Sequence, residues 1–436
     1  MDWWITLLAI IGTLLVILLT GIPVAFAFLL FNFLGIFYFM GPEGFHQLIL
    51  SLFGALTPFT IAPIPLFILM GAVLFHSGIA VQVIDIVDKW LGRLPGRLSL
   101  LTIASGTIFA NLTGSTIANT AMLGTLLVPE MERRGYKKPM TLGPIMGVGG
   151  LAMIIPPSAL AVILGSLAKI SIGRLLIGGI LPGFLIASLY AGYIVVRCWL
   201  QPSLAPSYEV IPTPWSEKII STAKYVLPLG FIILAVLGTM FAGIATPSEA
   251  AALGALASFV LAAFYGKLNL KMIKKSAMTC VEITVMAFMI IVGSVAFSQI
   301  LAFSGVSRQL VELVTGLEIA PILVLVAMQI VLLFLGTFME QISMMMITLP
   351  IYMPVVASLG FNPVWFGVMM LINLEIGLIT PPFGMLLFVM KGVSPPGTTM
   401  GDVYRAAFPF VLCNILALVF ILAFPTIATY LPGIMR

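Results

Sequence analysis

The sequence predicts an all-α polytopic membrane protein with about ten transmembrane helices and two re-entrant hairpins, in two inverted-topology repeats. Of its 436 residues, 61% are apolar and 8% are charged, and the mean hydropathy is +1.21. That composition leaves too little polar surface for a water-soluble globule of this length. Helix-breaking residues also recur about 225 residues later in the chain, and they interrupt sequence that is apolar enough for a membrane.

The repeat is clearest in proline and glycine. The corresponding positions are Pro129 and Pro354, Gly135 and Gly360, and the pairs Pro156-Pro157 and Pro381-Pro382. Because one repeat period contains an odd number of predicted crossings, the second copy is expected to be inverted relative to the first.

Apolar stretches long enough to cross a bilayer follow one another along the chain. We predict crossings at residues 3–20, 22–40, 60–87, 141–167, 175–199, 223–242, 247–265, 279–303, 364–390 and 406–430. Residues 43–58 are too few to span and are expected to lie in the interface. The start lacks the pattern of a removable signal peptide, so the first helix is expected to be retained.

Two further apolar stretches, 98–130 and 320–358, are too long for one straight helix, and each has a polar break near its middle. We predict that both are re-entrant hairpins. The predicted tips consist of Thr113, Gly114, Ser115 and Thr116 in the first hairpin, and of Gly336, Thr337, Glu340 and Gln341 in the second.

Charge predicts the orientation of the hairpins. Basic residues flank the first hairpin on both sides, whereas the second is flanked by Glu312 and Glu318 with only Arg308 as a basic neighbour. The positive-inside rule therefore places the first opening in the cytoplasm and the second outside, with both termini periplasmic. The net charge of +5 comes from short clusters between spans and indicates orientation, not a nucleic-acid partner.

The two tips and the two Pro-Pro pairs make four interruptions at membrane depth. Backbone groups freed from helical bonds are costly in hydrocarbon unless they are buried in protein or line a watery cavity. Freed carbonyls and hydroxyls suit Na⁺, and the N-termini of half-helices suit a carboxylate. The sequence therefore predicts ion and substrate binding at the breaks, although small residues in membrane helices also serve close packing.

The candidate binding residues follow from these breaks. In the first half they are Thr113, Gly114, Ser115, Thr116, Asn119, Gly150, Pro156, Pro157 and Ser158. In the second half they are Gly336, Thr337, Glu340, Gln341, Gly377, Thr380, Pro381, Pro382 and Gly384. The oxygens predicted for Na⁺ belong to Thr113, Ser115, Thr116, Gly336, Thr337, Gly377 and Thr380. Glu340 and Glu375 are also candidates, either for proton or cation binding or as caps of freed N–H groups.

Several motifs carry a family resemblance. They are Gly114-Ser115-Thr116-Ile117-Ala118-Asn119, Pro129-Glu130-Met131, Ile154-Ile155-Pro156-Pro157-Ser158, Leu349-Pro350-Ile351 with Pro354, and the long run from Asn373 to Gly384 that contains Thr380-Pro381-Pro382. Over essentially its whole length the chain resembles the large membrane subunit of tripartite ATP-independent periplasmic (TRAP) transporters of the dicarboxylate type. Relatives often read Ser-Gly-Ser-Ser at the first tip, and some carry an asparagine after the second Pro-Pro motif, where this chain has Met385.

The resemblance implies a transporter of the bacterial inner membrane, with no enzymatic activity and no cofactor other than Na⁺ as the coupling ion. It implies an elevator mechanism, a small four-helix membrane subunit as partner, and a periplasmic binding protein that delivers an organic anion. The corresponding division is 1–58 scaffold, 59–199 first repeat with hairpin 98–130, 200–224 cytoplasmic linker, 225–278 scaffold, and 279–436 second repeat with hairpin 320–358.

Two other functions stay open at this point. A stand-alone Na⁺/carboxylate symporter of similar inverted-repeat design would need no delivery protein. A membrane-embedded enzyme is disfavoured because the sequence has no metal-spaced His/Asp/Glu cluster, no Ser-His-Asp set and no phosphate-binding loop.

Overall fold

A computed structural model describes residues 2–92, 94–113, 115–206, 214–316 and 318–435. Throughout these residues the regular elements are helical. The chain begins with helices α1 (Trp3–Leu19), α2 (Val24–Met40) and α3 (Glu43–Leu56).

The first half continues through eight helices, and three more connect it to the second half. The eight are α4 (Pro63–His76), α5 (Ile79–Trp90), α6 (Arg97–Thr113), α7 (Thr116–Arg133), α8 (Lys138–Gly150), α9 (Ala159–Leu167), α10 (Ile172–Gly178) and α11 (Ile180–Leu200). The connecting helices are α12 (Trp215–Ser221), α13 (Leu227–Phe241) and α14 (Pro247–Phe264).

The second half has the same order of elements from α15 to α20 as the first has from α4 to α9. Its helices are α15 (Leu270–Phe303), α16 (Val306–Gly316), α17 (Pro321–Gly336), α18 (Gln341–Ser358), α19 (Pro363–Ile379), α20 (Met385–Val393), α21 (Met400–Ala423) and α22 (Thr426–Ile434). In each half an apolar helix ends at a glycine with positive φ, Gly78 or Gly305. A short helix, a helix pair around a tip and a helix pair around a Pro-Pro break then follow.

Six helical stretches in the described part of the chain are long and apolar enough to cross a membrane. They are Ile172–Leu200, Trp215–Phe241, Pro247–Phe264, Leu270–Phe303, Gln341–Ser358 and Met400–Ala423. The fold is therefore that of a multi-pass helical membrane protein.

The structure corrects three predicted crossings. The span predicted at 60–87 is two helices, α4 and α5, because Gly78 adopts φ +70° between them. The span predicted at 406–430 ends at Ala423, where Phe424 leaves the helical region and Pro425 follows. The span predicted at 279–303 begins earlier, at Leu270, because the Asn269 side chain caps the helix there.

Packing encloses the two helices that carry the Pro-Pro breaks. From Met140 to Gly150 every residue of α8 is buried, as is every residue of α19 from Val364 to Ile379. α8 packs against α6, α7 and α21, and α19 packs against α17, α18 and α21. A second group forms where α4 packs against α14 and α15, and α15 against α2. Both breaks therefore follow helices that are surrounded by other helices.

Candidate functional site

The first tip joins α6 to α7. Ser115 caps α7, and its Oγ accepts a hydrogen bond of 3.3 Å from the Ala118 N–H. Gly114 lies outside the described residues, and Thr113 is described only as the last residue of α6. The stretch 98–130 is thus divided between two helices, α6 and α7, and its re-entrant path stays a prediction.

The first turn of α7 carries polar side chains that are buried in the protein. Thr116 and Asn119 are buried. The Asn119 Nδ2 group donates to the Val148 carbonyl at 3.4 Å, while its Oδ1 atom has no hydrogen-bond partner among the described residues. A buried acceptor without a donor suits a site that receives a cation.

The first broken helix lies entirely inside the protein. α8 ends at Gly150, a 3₁₀ turn covers Leu151–Met153, and the chain then runs to Ser158, which caps α9 through a 3.2 Å bond from the Ala161 N–H. Pro156, Pro157 and Ser158 are all buried, and the peptide bond between the two prolines is cis. The predicted interruption of this crossing is present, because the chain leaves the α-helix after Gly150. Gly147 and Gly150 themselves remain helical, and neighbouring side chains approach both closely.

The second tip joins α17 to α18, so the stretch 320–358 is also divided between two helices, and its re-entrant path stays a prediction. α17 ends at Gly336, and the Thr337 Oγ1 donates to the Phe334 carbonyl at 2.7 Å. The Glu340 carboxylate caps α18 by accepting bonds from the Ile342 and Ser343 N–H groups, at 3.1 and 3.3 Å. Of the roles predicted for Glu340, capping is therefore the one observed.

The second broken helix opens toward the surface. Thr380 leaves the helical region, as predicted, with φ −95° and ψ 126°. Its Oγ1 donates to the Ile376 carbonyl at 2.5 Å, and its N–H donates weakly to the Gly377 carbonyl at 3.4 Å. The Gly377 oxygen that was predicted to bind Na⁺ therefore already accepts one hydrogen bond. Pro381 is half-buried and Pro382 is exposed, with a cis bond between them. Gly384 immediately precedes α20 as its N-cap residue.

Backbone meets backbone where the second tip touches the second broken helix. A Cβ atom added to Gly377 would lie 2.8 Å from both the Cα and the O atom of Gly336. A cavity of about 250 Å³ adjoins this contact, and Glu340, Gln341 and Phe383 also line it. The Gln341 Nε2 group is buried without a hydrogen-bond partner among the described residues. Four of the second-half residues that the sequence singled out therefore line one cavity, namely Gly336, Glu340, Gln341 and Gly377.

A buried polar cluster joins the two halves. The Tyr190 hydroxyl lies 3.0 Å from Glu375 Oε1 and 2.6 Å from Asn414 Oδ1, so its single proton is shared between two acceptors. Glu375 is 0% exposed, and its Cγ lies 2.4 Å from where a Cβ on Gly150 would be. Tyr190 and Asn414 are 224 residues apart, close to the repeat offset. Sequence reasoning missed both residues, although that spacing was the signal that could have found them.

A second cavity, of about 210 Å³, lies at the first tip. One wall consists of Ser115, Ala118, Pro157 and Ala159, from the first tip and the first broken helix. The opposite wall comes from α4 and α15 and includes His76, which the sequence analysis did not select. Its Nε2 atom lies 3.1 Å from the Thr279 hydroxyl oxygen.

The chemistry of these breaks is that of oxygen ligands. Among the described residues no group of three or more His, Cys, Asp or Glu side chains is placed to hold a metal ion. Hydroxyls, amide oxygens and carbonyls of interrupted helices instead suit an alkali cation, and helix N-termini suit an anion.

Comparisons with known proteins agree with this reading of the fold. The sequence profile described as "Tripartite ATP-independent periplasmic transporter, DctM component" matches residues 11–427. The C4-dicarboxylate TRAP transporter large permease protein DctM of Pseudomonas aeruginosa is 31% identical over 395 residues, which cover 90% of each chain. The isethionate TRAP transporter permease protein DctMQ of Oleidesulfovibrio alaskensis is 31% identical over 88% of this chain and 58% of that longer protein.

One solved structure shows the same fold at low sequence identity. The YdaH transporter of Alcanivorax borkumensis superposes with a TM-score of 0.63 at 15% identity, over 87% of this chain and 88% of that one.

Proposed function

The chain belongs to the DctM family, the large permease components of tripartite ATP-independent periplasmic transporters, and we propose that it imports an organic anion in symport with Na⁺. The observation that carries this proposal is the enclosure of interrupted helices at the breaks. Gly336 touches Gly377 where the second tip meets the second broken helix, and Gly150 of the first broken helix touches Glu375 of the second. Non-helical backbone at that depth is stable only where protein or a watery cavity satisfies it.

Na⁺ binds in this proposal at the two tips. At the first tip the oxygens are those of Ser115, Thr116 and the unpartnered Asn119 Oδ1, with Thr113 as a further predicted ligand. At the second tip they are those of Gly336, Gly377 and Thr380, beside the 250 Å³ cavity. The Thr337 and Thr380 hydroxyls both donate to carbonyls of their own helices, so each would offer Na⁺ a lone pair of its oxygen.

Movement follows the elevator mechanism in this proposal. The group that contains α8, α19 and both tips carries substrate and ion, and the group that contains α2, α4, α14 and α15 is the scaffold against which it slides. Support comes from the grouping of helix contacts and from the half-buried cavity that separates the first tip from α4 and α15. The inverted relation of the two halves supplies the two alternative positions of such a carrier.

The partners in this proposal are a small four-helix membrane subunit and a periplasmic binding protein. The first is supported by the DctMQ relative, a longer permease protein of which this chain covers 58%. The substrate class is an organic anion, since the two relatives described above are named for C4-dicarboxylate and for isethionate, an organic sulfonate.

Uptake is expected to require Na⁺. Vesicles that contain this chain, its small subunit and its binding protein should accumulate radiolabelled succinate or isethionate under an inward Na⁺ gradient. Replacing Na⁺ by K⁺ at the same membrane potential should abolish accumulation, because the proposed coupling ion is then absent. Uptake in vesicles without the binding protein would identify a stand-alone symporter, and equal uptake in K⁺ would contradict the coupling.

The orientation is tested by labelling with a membrane-impermeant thiol reagent in intact cells. Single cysteines are introduced at Arg134 and at Leu359 after replacement of Cys198, Cys280 and Cys413, the cysteines of the described chain. We expect label at position 359 and none at position 134, because the basic flanks of the first hairpin belong in the cytoplasm. Labelling of both positions after permeabilisation is the control, and the reverse pattern in intact cells would refute the inverted arrangement.

A further inference from the structure

The cavities at the two tips differ in the charge of their walls. The second-tip cavity of about 250 Å³ has one ionisable residue in its lining, the acidic Glu340. Among the described residues that line the first-tip cavity of about 210 Å³ none is acidic, and they include His76, Thr279 and Ser115. An anion is therefore disfavoured in the second cavity and accommodated in the first.

The N-termini of nearby helices also favour an anion in the first-tip cavity. α7 and α9 both begin at the wall of the first-tip cavity, where Ser115 and Ala159 line it. Both helices are capped by neutral serine hydroxyls, so the partial positive charge of their N-termini is not cancelled. At the second tip, the Glu340 carboxylate already occupies the N-terminus of α18. A helix N-terminus that is open to a cavity attracts an anionic group.

Side chains on the opposite wall complete the set. His76, at the end of α4, and Thr279, on α15, bond to each other across the helix interface at 3.1 Å. Each can act as a hydrogen-bond donor, and Lys275, one turn before Thr279 on α15, lies close enough to His76 to interact with it electrostatically. Exchange of the neutral bond between the two side chains for bonds to a carboxylate gives stronger, charge-assisted bonds.

We propose that the first-tip cavity receives a carboxylate or sulfonate group of the transported anion, with His76 and Thr279 as its donors on the α4 and α15 side. This inference rests on the proposed import of an organic anion and adds to it the residues that bind the anion. The volume of the cavity suits one compact anionic group, since sites for drug-sized ligands are larger, about 300–1,000 Å³. The anion then lies between the first tip on one side and α4 and α15 on the other. Movement of the group that contains the tips against the group that contains α4 and α15 carries the anion across the membrane.

The test uses the complete three-protein system in vesicles, with radiolabelled succinate and isethionate as probes. Thr279→Val removes the hydroxyl at nearly constant volume, and His76→Leu removes the ring donor. Each is expected to raise KM for the anion on the order of tenfold or more, with a smaller effect on kcat, because a bond to a charged group is lost. The Na⁺ concentration for half-maximal uptake should not change. Thr279→Ser keeps the donor and should restore the KM of the unmodified protein.

Matched controls come from the same residue types elsewhere in the chain. Thr239→Val removes a hydroxyl that bonds only within its own helix, at Ala235 and Val236, and should leave KM unchanged. His46→Leu replaces the histidine in α3 and should also be silent. Thermal unfolding in detergent shows whether each variant is folded. Repeating it with the probe at about tenfold its KM shows whether the variant still gains stability from the anion.

Each outcome decides between the two proposals. If the unmodified system shows no Na⁺-dependent uptake of either probe, the proposed function fails. If that uptake is present while Thr279→Val and His76→Leu keep an unchanged KM, the site assignment is wrong and the proposed function stands. If His76→Leu does not fold, the comparison of Thr279→Val with Thr279→Ser decides the assignment.

Discussion

Replacement of Gly377 by alanine is expected to abolish most Na⁺-driven uptake and to lower stability. The added Cβ would lie 2.8 Å from the Cα and O atoms of Gly336, and both of these are backbone atoms that cannot turn away. Overpacking of this kind typically costs about 1–3 kcal/mol. Alanine in a helix interior gains roughly 0.5–1 kcal/mol over glycine, so the expected net effect is destabilising. Separation of the second tip from α19 would also displace the proposed Na⁺ oxygens.

Gly392→Ala is the matched control. Gly392 lies in α20, and a Cβ added there meets nothing within 4 Å. This variant should therefore keep full uptake and gain slightly in stability. Thermal unfolding in detergent and uptake against Na⁺ concentration measure both effects. Equal behaviour of the Gly377→Ala and Gly392→Ala variants would show that the close backbone contact is unimportant.

Glu375→Ala is expected to cause the second large loss of stability. The carboxyl group is fully buried, accepts from Tyr190 and packs against Gly150, so its removal leaves a cavity and takes away one of the two acceptors of the Tyr190 hydroxyl. Large-to-small changes in a core cost about 2–5 kcal/mol. Glu375→Gln keeps the shape and an oxygen acceptor for the Tyr190 hydroxyl, and should retain most of the stability.

A double-mutant cycle separates the Tyr190 contact from general packing. Tyr190→Phe combined with Glu375→Ala should show a coupling above about 0.5 kcal/mol in the free energy of unfolding, because both changes remove the same bond. Tyr352→Phe is the control, since the Tyr352 hydroxyl faces the Met328 carbonyl and not the cluster. The effects of Tyr352→Phe and Glu375→Ala should be additive. If those of Tyr190→Phe and Glu375→Ala were additive as well, the hydrogen bond between Tyr190 and Glu375 would contribute nothing to stability.

The positions of helices and breaks were largely predictable because they depend on local chemistry. Prolines lack the N–H that a helix needs, so the two Pro-Pro pairs mark breaks wherever they occur. The turn at Gly78 was missed, since a glycine within an apolar run is equally compatible with a continuous helix. Gly147 and Gly150 themselves stay helical, with Phe410 and Glu375 in the space beside them, so the interruption begins only after Gly150.

The candidate site was predictable only in part. Composition identified the tip hydroxyls and the residues around the Pro-Pro pairs, since those are consecutive in the chain. Tyr190, Asn414 and the pair of His76 with Thr279 join helices that are distant in sequence, and no local pattern carries such a contact. Glu340 illustrates the boundary, because its sequence allowed both a cap and a binding role until the bonds to the N–H groups of α18 were seen.

The contact of Gly150 with Glu375 joins two positions that are separated by the predicted repeat offset, since 375 − 150 = 225. Two identical copies would bring glycine against glycine and leave a void, or glutamate against glutamate and force two like charges together. The sequence instead sets the smallest residue against a carboxyl group and, nearby, a tyrosine hydroxyl against an asparagine oxygen that accepts its hydrogen bond. The halves share an order of elements, whereas the residues that meet at their junction differ and are complementary. Exchange of one half for a copy of the other would therefore lose these contacts.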